Sequence, residues 1–192
     1  MIVHLSVQEE YIMEICVTGH RPNKLFGYDI HSEAYNKIRH SLKLAIYTLL
    51  KDCDDKDVTV YSGMALGVDQ IFVEEMVKAR AYYKSKDINF RIVAAVPFES
   101  QDCKWPEASK KLYHELLDQC DEKVIVSEGK YSPILMQKRN EFMVDHSDCV
   151  IAVWDGSRGG TGNCVEYARK QEKHILYITP ANGVCHDPSV AA

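Results

Sequence analysis

The sequence predicts a doubly wound α/β fold with a mostly parallel sheet, built as a single domain. Short apolar runs rich in valine and isoleucine alternate with longer segments of helical periodicity. This alternation is the order of strand, crossover helix and next strand in such a sheet. The runs are continuously apolar, as expected of strands that helices cover on both faces. The 192 residues suffice for one hydrophobic core.

Six strands are predicted, each a run of mainly β-branched or aromatic residues between polar or turn-forming segments. They lie at residues 12–18, 57–62, 90–97, 122–127, 148–154 and 174–179. Residues 180–192 have the composition of turns and are expected to form a C-terminal tail. The single domain is therefore expected to comprise residues 1–179.

Helices are predicted between the strands, because apolar residues recur there at spacings of three and four. The stripes contain Ala34, Ile38, Leu42, Ala45, Ile46 and Leu49; Phe72, Met76, Val77 and Arg80; Ala108, Leu112, Leu116 and Cys120; and Phe142, Met143 and His146. Pro106 and Pro133 suit the first turns of the third and fourth helices, where a missing N–H is tolerated. A further helix is expected after the fifth strand.

Composition excludes several classes of function. The chain has 23 Lys and Arg against 28 Asp and Glu, a net charge of −5, which disfavours nucleic acid as a partner. Seven cysteines without a CxxC pair, and eight histidines without metal spacing, predict reduced thiols and no metal site. No apolar run is long enough to span a membrane, and the first residues do not resemble a signal peptide, so we expect a cytoplasmic protein.

In a doubly wound sheet, ligands bind outside the carboxyl ends of the strands, and two such segments carry anion-binding features. TGHRP follows the first strand and combines a small residue with an imidazole and a guanidinium that pair with phosphate or carboxylate. SGMALGVD follows the second strand, and its small residues leave N–H groups open at a helix N-terminus. Asp69 could instead only support the helix dipole. The candidate ligand-binding residues here are Thr18, Gly19, His20, Arg21, Ser62, Gly63, Met64, Ala65, Gly67 and Asp69.

Aromatic residues follow the third strand, where Pro97, Phe98 and Trp105 are further candidates. The two rings could stack on a base, or they could pack in the core or in a lid. After the fourth strand, we expect Tyr131 and the helix carrying Met136, Arg139 and Asn140 to close the pocket from the other side.

A glycine-rich stretch, WDGSRGGTGN, follows the fifth strand. Its glycines would let the backbone pass close to a phosphate or ribose. We expect Asn163 to cap the following helix and Glu166 to lie on its first turn. The order of residues matches neither G-x-G-x-x-G nor the P-loop. Candidate ligand-binding residues here are Asp155, Gly156, Ser157, Gly159, Gly160, Thr161, Gly162, Asn163 and Glu166.

Five motifs, in this order over about residues 12–178, resemble the YpsA family of the SLOG superfamily. They are GHRP, SGMALGVD, the helix that begins at WP, RNEFMVDHSD and VWDGSRGGTGN. The superfamily of Rossmann-like domains includes the LOG phosphoribohydrolases, DprA-like DNA-binding proteins and antiviral defence domains that sense NAD-derived signals. The resemblance implies a Rossmann-like fold, a site for nucleotides or their derivatives, and a possible homo-oligomer, since relatives commonly form dimers or larger assemblies.

The resemblance also suggests two roles for Arg139 and Glu166. Both are in register with the arginine and glutamate of the LOG enzymes, while Arg158 and Asn163 depart from the enzymes' PGGxGTxxE pattern. In a phosphoribohydrolase, Glu166 and Arg139 would be catalytic, with the arginine on the 5′-phosphate and the glutamate on ribose or water. In a binding protein, the same residues would only hold the ligand.

Three functions therefore remain open. The favoured one is a sensor or sequestering protein for ADP-ribose, a cyclic ADP-ribose-like molecule or another nucleotide second messenger, with no other cofactor required. The second is cleavage of the N-glycosidic bond of a nucleoside monophosphate. The third, binding of single-stranded DNA, is disfavoured by the net charge of −5.

Overall fold

The structure, a computed structural model, describes residues 12–51 and 57–188. In these residues the strands are β1 Met13–Gly19, β2 Asp57–Ser62, β3 Asn89–Val96, β4 Glu122–Ile125, β5 Cys149–Val153, β6 His174–Ile178 and β7 Cys185–His186. The helices are α1 Asn36–Leu50, α2 Val68–Lys84, α3 Glu107–Leu117, α4 Pro133–Asp145 and α5 Gly160–Lys170. Two short 3-10 turns, Pro22–Lys24 and Glu33–Tyr35, connect β1 to α1.

The seven strands described form one sheet in the order β4-β3-β2-β1-β5-β6-β7. β1 to β6 run parallel, and β7 pairs antiparallel with β6. The chain runs outward from β1 through β4 and then returns to place β5 on the other side of β1. The carboxyl ends of β1 and β5 thus flank the switch point, which is where doubly wound sheets form their ligand crevice.

Both faces of the sheet are buried, which explains the continuously apolar strands. Ile15 and Val17 of β1 belong to the core under α1, α2 and α3, whereas Cys16 belongs to the core under α4 and α5. Alternate side chains of one strand therefore enter opposite cores. Each large apolar side chain buried in this way stabilises the fold by about 1.5–3 kcal/mol.

The predicted fold class is confirmed, and the six predicted strands are all present with small shifts of their ends. The helix starts follow the predicted chemistry. Pro133 is the first residue of α4, and the Ser132 hydroxyl accepts from the Leu135 N–H at 3.2 Å. Pro106, predicted in the first turn of α3, is instead its N-cap, one residue before the helix begins at Glu107.

Part of the predicted tail is ordered against the sheet. The Gly183 N–H donates to the Thr179 carbonyl at 2.8 Å, and the turn returns the chain so that Cys185 pairs with Ile178. The Ser41 hydroxyl of α1 also donates to the Gly183 carbonyl at 2.5 Å. Residues 1–11 of the predicted domain, Cys53, and residues 189–192 of the predicted tail lie outside the described residues. None of the described helices is long and apolar enough to cross a membrane.

Candidate functional site

A cavity of about 340 Å³ opens at the switch point between β1 and β5. Its volume falls within the range of small-molecule sites. It is lined by Thr18, Gly19, His20, Arg21, Asn23, Lys24, Ala65, Asp69, Tyr131, Pro133, Met136, Gln137, Arg139, Asn140, Gly159, Gly160, Thr161 and Asn163. Four of the five segments that follow the first five strands therefore contribute to one site.

The loop after β1 is fixed tightly against its neighbours. A Cβ on Gly19 would lie 2.5 Å from Cβ of Val68, so only glycine fits there. The His20 N–H donates to the Val153 carbonyl at 3.3 Å, and the His20 carbonyl accepts from the Val68 N–H at 3.4 Å. His20 is consequently held between β5 and α2, with its side chain 3% exposed.

Asp155 orients the His20 imidazole. Its Oδ1 lies 2.7 Å from Nε2 of His20 and also accepts from the Ser157 N–H at 2.9 Å. Hydrogen bonds from Ser157, with a smaller contribution from His20, lower the pKa of Asp155 well below its usual range. Asp155 is thus a carboxylate, and Nε2 of His20 is the donor between them. Asp155 itself does not line the cavity, so it acts through His20.

Asp69 and Arg139 form a buried ion pair in the cavity wall. Nη1 of Arg139 lies 3.1 Å from Oδ2 of Asp69, and both side chains are 6% exposed. Burial raises the pKa of Asp69, while the guanidinium and a hydrogen bond from the Ala65 N–H oppose that rise. A Cβ on Gly63 would lie 1.1 Å from Nη1, so the guanidinium occupies the space that glycine leaves. Nε of Arg139 is buried and has no hydrogen-bond partner in the described part of the chain.

The loop after β2 supports this pair more than it offers donors to a ligand. The Met64 N–H donates to Oγ of Ser62 at 3.2 Å, and the Ala65 N–H donates to Asp69 at 3.2 Å. Gly67, at φ +98°, is the N-cap of α2, and a Cβ there would lie 2.7 Å from the His20 carbonyl. The expectation of open N–H groups is therefore wrong for Met64 and Ala65, because side chains of the same loop accept from both.

Phe98 and Trp105 pack inside the protein and do not line the cavity. Phe98 is buried beside the buried Pro97 and meets Tyr131 edge-on, with ring centroids 6.4 Å apart. Trp105 packs edge-on against Tyr113 at 5.3 Å. Both rings thus pack in the protein interior and are not placed to stack on a base at the cavity. The exposed aromatic ring at the cavity is that of Tyr131, which is 60% exposed.

The glycine-rich stretch begins α5 earlier than expected. Gly159, at φ +145°, is the N-cap, and Gly160 is the first helical residue. Asn163 therefore lies inside the helix, where its N–H donates to the Gly159 carbonyl at 2.9 Å, and the prediction that it caps α5 is wrong. Asn163 still lines the cavity, as Gly160 does. The Asn140 side-chain amide donates to the Gly160 carbonyl at 3.3 Å.

Glu166 lies on the second turn of α5, not on the first, because the helix begins at Gly160. Its carboxylate is 58% exposed and pairs with Nη1 of Arg169 at 2.7 Å. Glu166 does not line the cavity. Arg139 thus lines the cavity without Glu166, whereas a LOG-like reaction would require both residues at the ligand.

Half of the candidate ligand-binding residues meet at the cavity, and Tyr131 and Met136, which we expect to close the pocket, line it as well. Those that line it are Thr18, Gly19, His20, Arg21, Ala65, Asp69, Arg139, Asn140, Gly159, Gly160, Thr161 and Asn163. Those that lie behind it or elsewhere are Ser62, Gly63, Met64, Gly67, Pro97, Phe98, Trp105, Asp155, Gly156, Ser157, Gly162 and Glu166. Several of the second group position the first, as Gly63 and Asp155 do.

Sequence reasoning missed Asn23, Lys24, Pro133 and Gln137. Asn23 and Lys24 directly follow GHRP, and the 3-10 turn Pro22–Lys24 keeps them at the same edge of the sheet. Helical spacing could have found Pro133 and Gln137, since they lie on the face of α4 that also carries Asn140. The residues described contain no group of three or more His, Cys, Asp or Glu placed to hold a metal ion.

Comparison with known proteins identifies the family. The sequence model YpsA, described as the YspA SLOG family, matches residues 15–182. The chain belongs to this family. The YpsA member is 38% identical over 120 residues to the uncharacterized SPbeta prophage-derived protein YoqJ of Bacillus subtilis, covering 57% of this chain and 68% of YoqJ. It is 24% identical over 172 residues to a UPF0398 protein of Halalkalibacterium halodurans, covering 86% of this chain and 87% of that protein.

Two solved structures share the fold of this YpsA member. DNA processing protein A (DprA) of Streptococcus pneumoniae superposes with a TM-score of 0.56 at 16% identity, over 88% of this chain and 50% of DprA. DprA of Helicobacter pylori, solved for its single-stranded DNA binding mode, gives a TM-score of 0.54 at 20% identity, over 87% of this chain and 65% of DprA. The chain thus spans half to just under two thirds of these proteins, and the likeness confirms the Rossmann-like architecture.

Proposed function

We propose that this protein binds a nucleotide-derived small molecule in the cavity at the switch point and acts as a sensor or sequestering protein. The observation that carries the proposal is the composition of the cavity wall. Cationic side chains and the N-terminus of α5 lie together with an exposed aromatic ring and several amides. This combination fits a ligand that has phosphate, ribose and a flat base.

The anionic part of the ligand finds partners on the β1 and β5 sides of the cavity. Arg21 and Lys24 supply positive charge after β1, and the first turn of α5 contains Gly160 and Thr161 in the wall. Helix N-termini favour anions because their first N–H groups have no partner in the helix. Glycines at positions 159 and 160 allow a phosphate to approach the backbone, since nothing lies within 4 Å of a Cβ on Gly160.

The base and the sugar find partners on the α4 side. Tyr131, Pro133 and Met136 provide an apolar surface with one exposed aromatic ring. Gln137 and Asn140 offer amide groups that both donate and accept hydrogen bonds. A nucleobase that stacks on Tyr131 and a ribose that meets the amides would use both properties.

The resemblance to SLOG domains that sense NAD-derived signals supports ADP-ribose, cyclic ADP-ribose-like molecules and other nucleotide second messengers as the first ligands to test. The geometry favours binding over hydrolysis, because Glu166 lies outside the cavity and pairs with Arg169. The expectation that nucleic acid is not a partner stays a prediction, based on the net charge of −5.

Titration calorimetry tests the proposal with ADP-ribose, NAD, cyclic ADP-ribose isomers, AMP and cyclic dinucleotides. We expect at least one of them to bind. After prolonged incubation with the protein, chromatography should show that the bound ligand has not been hydrolysed. Failure of the whole panel to bind overturns the proposal. Release of a free base that Glu166→Gln abolishes would instead support a phosphoribohydrolase. A gel shift with single-stranded DNA at low salt is expected to show no complex.

A further inference from the structure

The imidazole of His20 is buried in the cavity wall beside a carboxylate. Its side chain is 3% exposed, and Nε2 lies 2.7 Å from Oδ1 of Asp155. The Asp155 N–H also lies within reach of Nε2, at the longer distance of 3.4 Å between the nitrogens. Two bare acceptors would repel each other at 2.7 Å, so the shorter contact requires a proton. Hydrogen bonds from Ser157 lower the pKa of Asp155, so this proton lies on Nε2.

The proton on Nε2 leaves Nδ1 of the neutral imidazole as an acceptor. Within residues 12–51 and 57–188, every hydrogen bond of the His20 side chain is made by Nε2. Nδ1 is not one of the fully enclosed polar atoms that lack a partner in these residues, so it keeps contact with open space. Since His20 lines the cavity and is otherwise buried, that space is the cavity. An unpartnered acceptor on a buried ring therefore faces the ligand.

The backbone and Asp155 fix the direction of this acceptor. The hydrogen bonds of the His20 backbone to Val153 and Val68 hold the residue between β5 and α2. Asp155 is held in turn by the Ser157 N–H at 2.9 Å, and its side chain is 47% exposed, so water solvates its charge. Asp155 does not line the cavity, and it is a positioning residue for His20. The pair thus presents one lone pair of fixed position to the ligand.

An acceptor requires a donor, and this requirement separates the parts of a nucleotide. Ionised phosphate oxygens only accept hydrogen bonds, so the neutral imidazole does not bind the phosphate. The apolar surface that suits the base is formed by Tyr131, Pro133 and Met136 on the α4 side. His20 instead follows β1, directly before Arg21. The ribose joins the phosphate to the base, and its hydroxyl groups are donors.

We propose that Nδ1 of His20, oriented by Asp155, accepts a hydrogen bond from a ribose hydroxyl of the ligand and so selects ribonucleotides over their deoxy forms. This inference rests on the proposed function and names the sugar that the site requires. A deoxy ligand that fills the cavity leaves Nδ1 without a donor. Sites that hydrogen-bond a ligand hydroxyl discriminate strongly against the analogue that lacks it, because the buried polar group is then unpaired.

The other interpretation is that the pair of His20 and Asp155 only fastens the loop after β1 to the turn after β5. Such a fastening acts through the shape of the cavity wall, so its loss weakens the binding of ribonucleotides and deoxynucleotides alike. The loss of a hydroxyl acceptor weakens only the binding of ligands that carry the hydroxyl. The ratio of the two affinities therefore distinguishes the interpretations, even for a variant that binds every ligand less tightly.

The experiment measures the binding of AMP, 2′-deoxy-AMP and 3′-deoxy-AMP by calorimetry at about pH 8.5, where an imidazole of ordinary pKa, about 6.5, is neutral. AMP has a single ribose, so each deoxy form removes one defined hydroxyl. We expect the wild type to bind AMP about tenfold or more tightly than at least one deoxy form. His20→Phe, which keeps a ring without its nitrogens, should reduce this preference to about twofold or less. His20→Asn, whose amide oxygen takes the place of Nδ1, should keep part of it.

Two further variants serve as control and as a test of Asp155. His114 forms a similar pair with Asp102 at 3.0 Å, but it is 61% exposed and does not line the cavity. His114→Phe should therefore keep the full preference for AMP. The amide of Asp155→Asn can donate to Nε2 and so place the proton on Nδ1, and this variant should lower the preference. An unchanged preference in Asp155→Asn overturns its assignment as the positioning residue.

Equal affinities of the wild type for AMP and both deoxy forms overturn the inference and leave the proposed function standing. A preference that persists in His20→Phe assigns the hydroxyl to another residue and also overturns it. Binding of another member of the calorimetry panel without binding of AMP overturns the inference alone. If the wild type binds no member of the panel, both proposals fail.

Discussion

Gly63→Ala is expected to destabilise the protein strongly, because the new methyl group would take the place of the Arg139 guanidinium. The added Cβ would lie 1.1 Å from Nη1 and 2.2 Å from Cζ of Arg139. A guanidinium on a flexible side chain can often move aside. Here the ion pair with Asp69 holds it at 3.1 Å, and both side chains are 6% exposed.

The cost follows from what the displacement leaves behind. Breaking a buried ion pair costs about 3–5 kcal/mol, because one charge stays buried without its partner. Asp69 keeps the hydrogen bond from the Ala65 N–H, and burial already raises its pKa, so protonation relieves part of the cost. We therefore expect a loss of about 3 kcal/mol in the free energy of unfolding, at the low end of that range.

Urea unfolding at neutral pH measures this loss. Gly160→Ala is the control, since no atom lies within 4 Å of a Cβ there and the residue is helical. It should be neutral or stabilise by up to about 1 kcal/mol. If Gly63→Ala unfolds within about 1 kcal/mol of the wild type, the guanidinium is not held as described, and the account of the cavity wall is wrong.

Three further predictions concern groups around the cavity and in the core. The folded-state pKa of Asp155 is lowered, so the stability that its carboxylate contributes is fully present above the unfolded pKa of about 3.9 and is lost as pH falls through the folded value. In acid unfolding, Asp155→Asn should therefore lose less stability than the wild type between about pH 4 and 2. An unchanged acid profile would contradict this. Glu166→Gln should alter ligand affinity by less than about twofold, since it removes only an exposed ion pair with Arg169. A large loss of ligand affinity, measured by calorimetry, would show that Glu166 contacts the ligand. Burial raises the pKa of the Cys164 thiol to about 11, whereas Cys103 is exposed. Cys103→Ser should therefore remove more of the fast reaction with a thiol reagent at pH 8 than Cys164→Ser does. The reverse order would argue against the burial of Cys164.

The fold was predictable because strands that are buried on both faces of the sheet are continuously apolar in sequence. Cys16 and Val17 enter different cores, so β1 is apolar without interruption, and β5 is buried at every position for the same reason. The position of the site followed from topology, since strand order alone brings the ends of β1 and β5 together.

The finer geometry depended on contacts that no local pattern contains. Asp69 and Arg139 are 70 residues apart, and they pair because the fold places the first turn of α2 and the middle of α4 at the same edge of the sheet. The start of α5 is set by the left-handed backbone of Gly159, so the capping propensity of Asn163 did not decide it. That shift of the helix start carried Glu166 to the second turn, beyond the cavity.

The binding of a nucleotide-derived ligand at the switch point between β1 and β5 underlies the other proposals. A crystal structure of the protein with the tightest-binding member of the calorimetry panel tests it most directly. We expect density for an intact ligand in the cavity, with a phosphate between Lys24 and the first turn of α5 and the base against Tyr131. Density for the ligand at another surface, with the cavity empty, would contradict it.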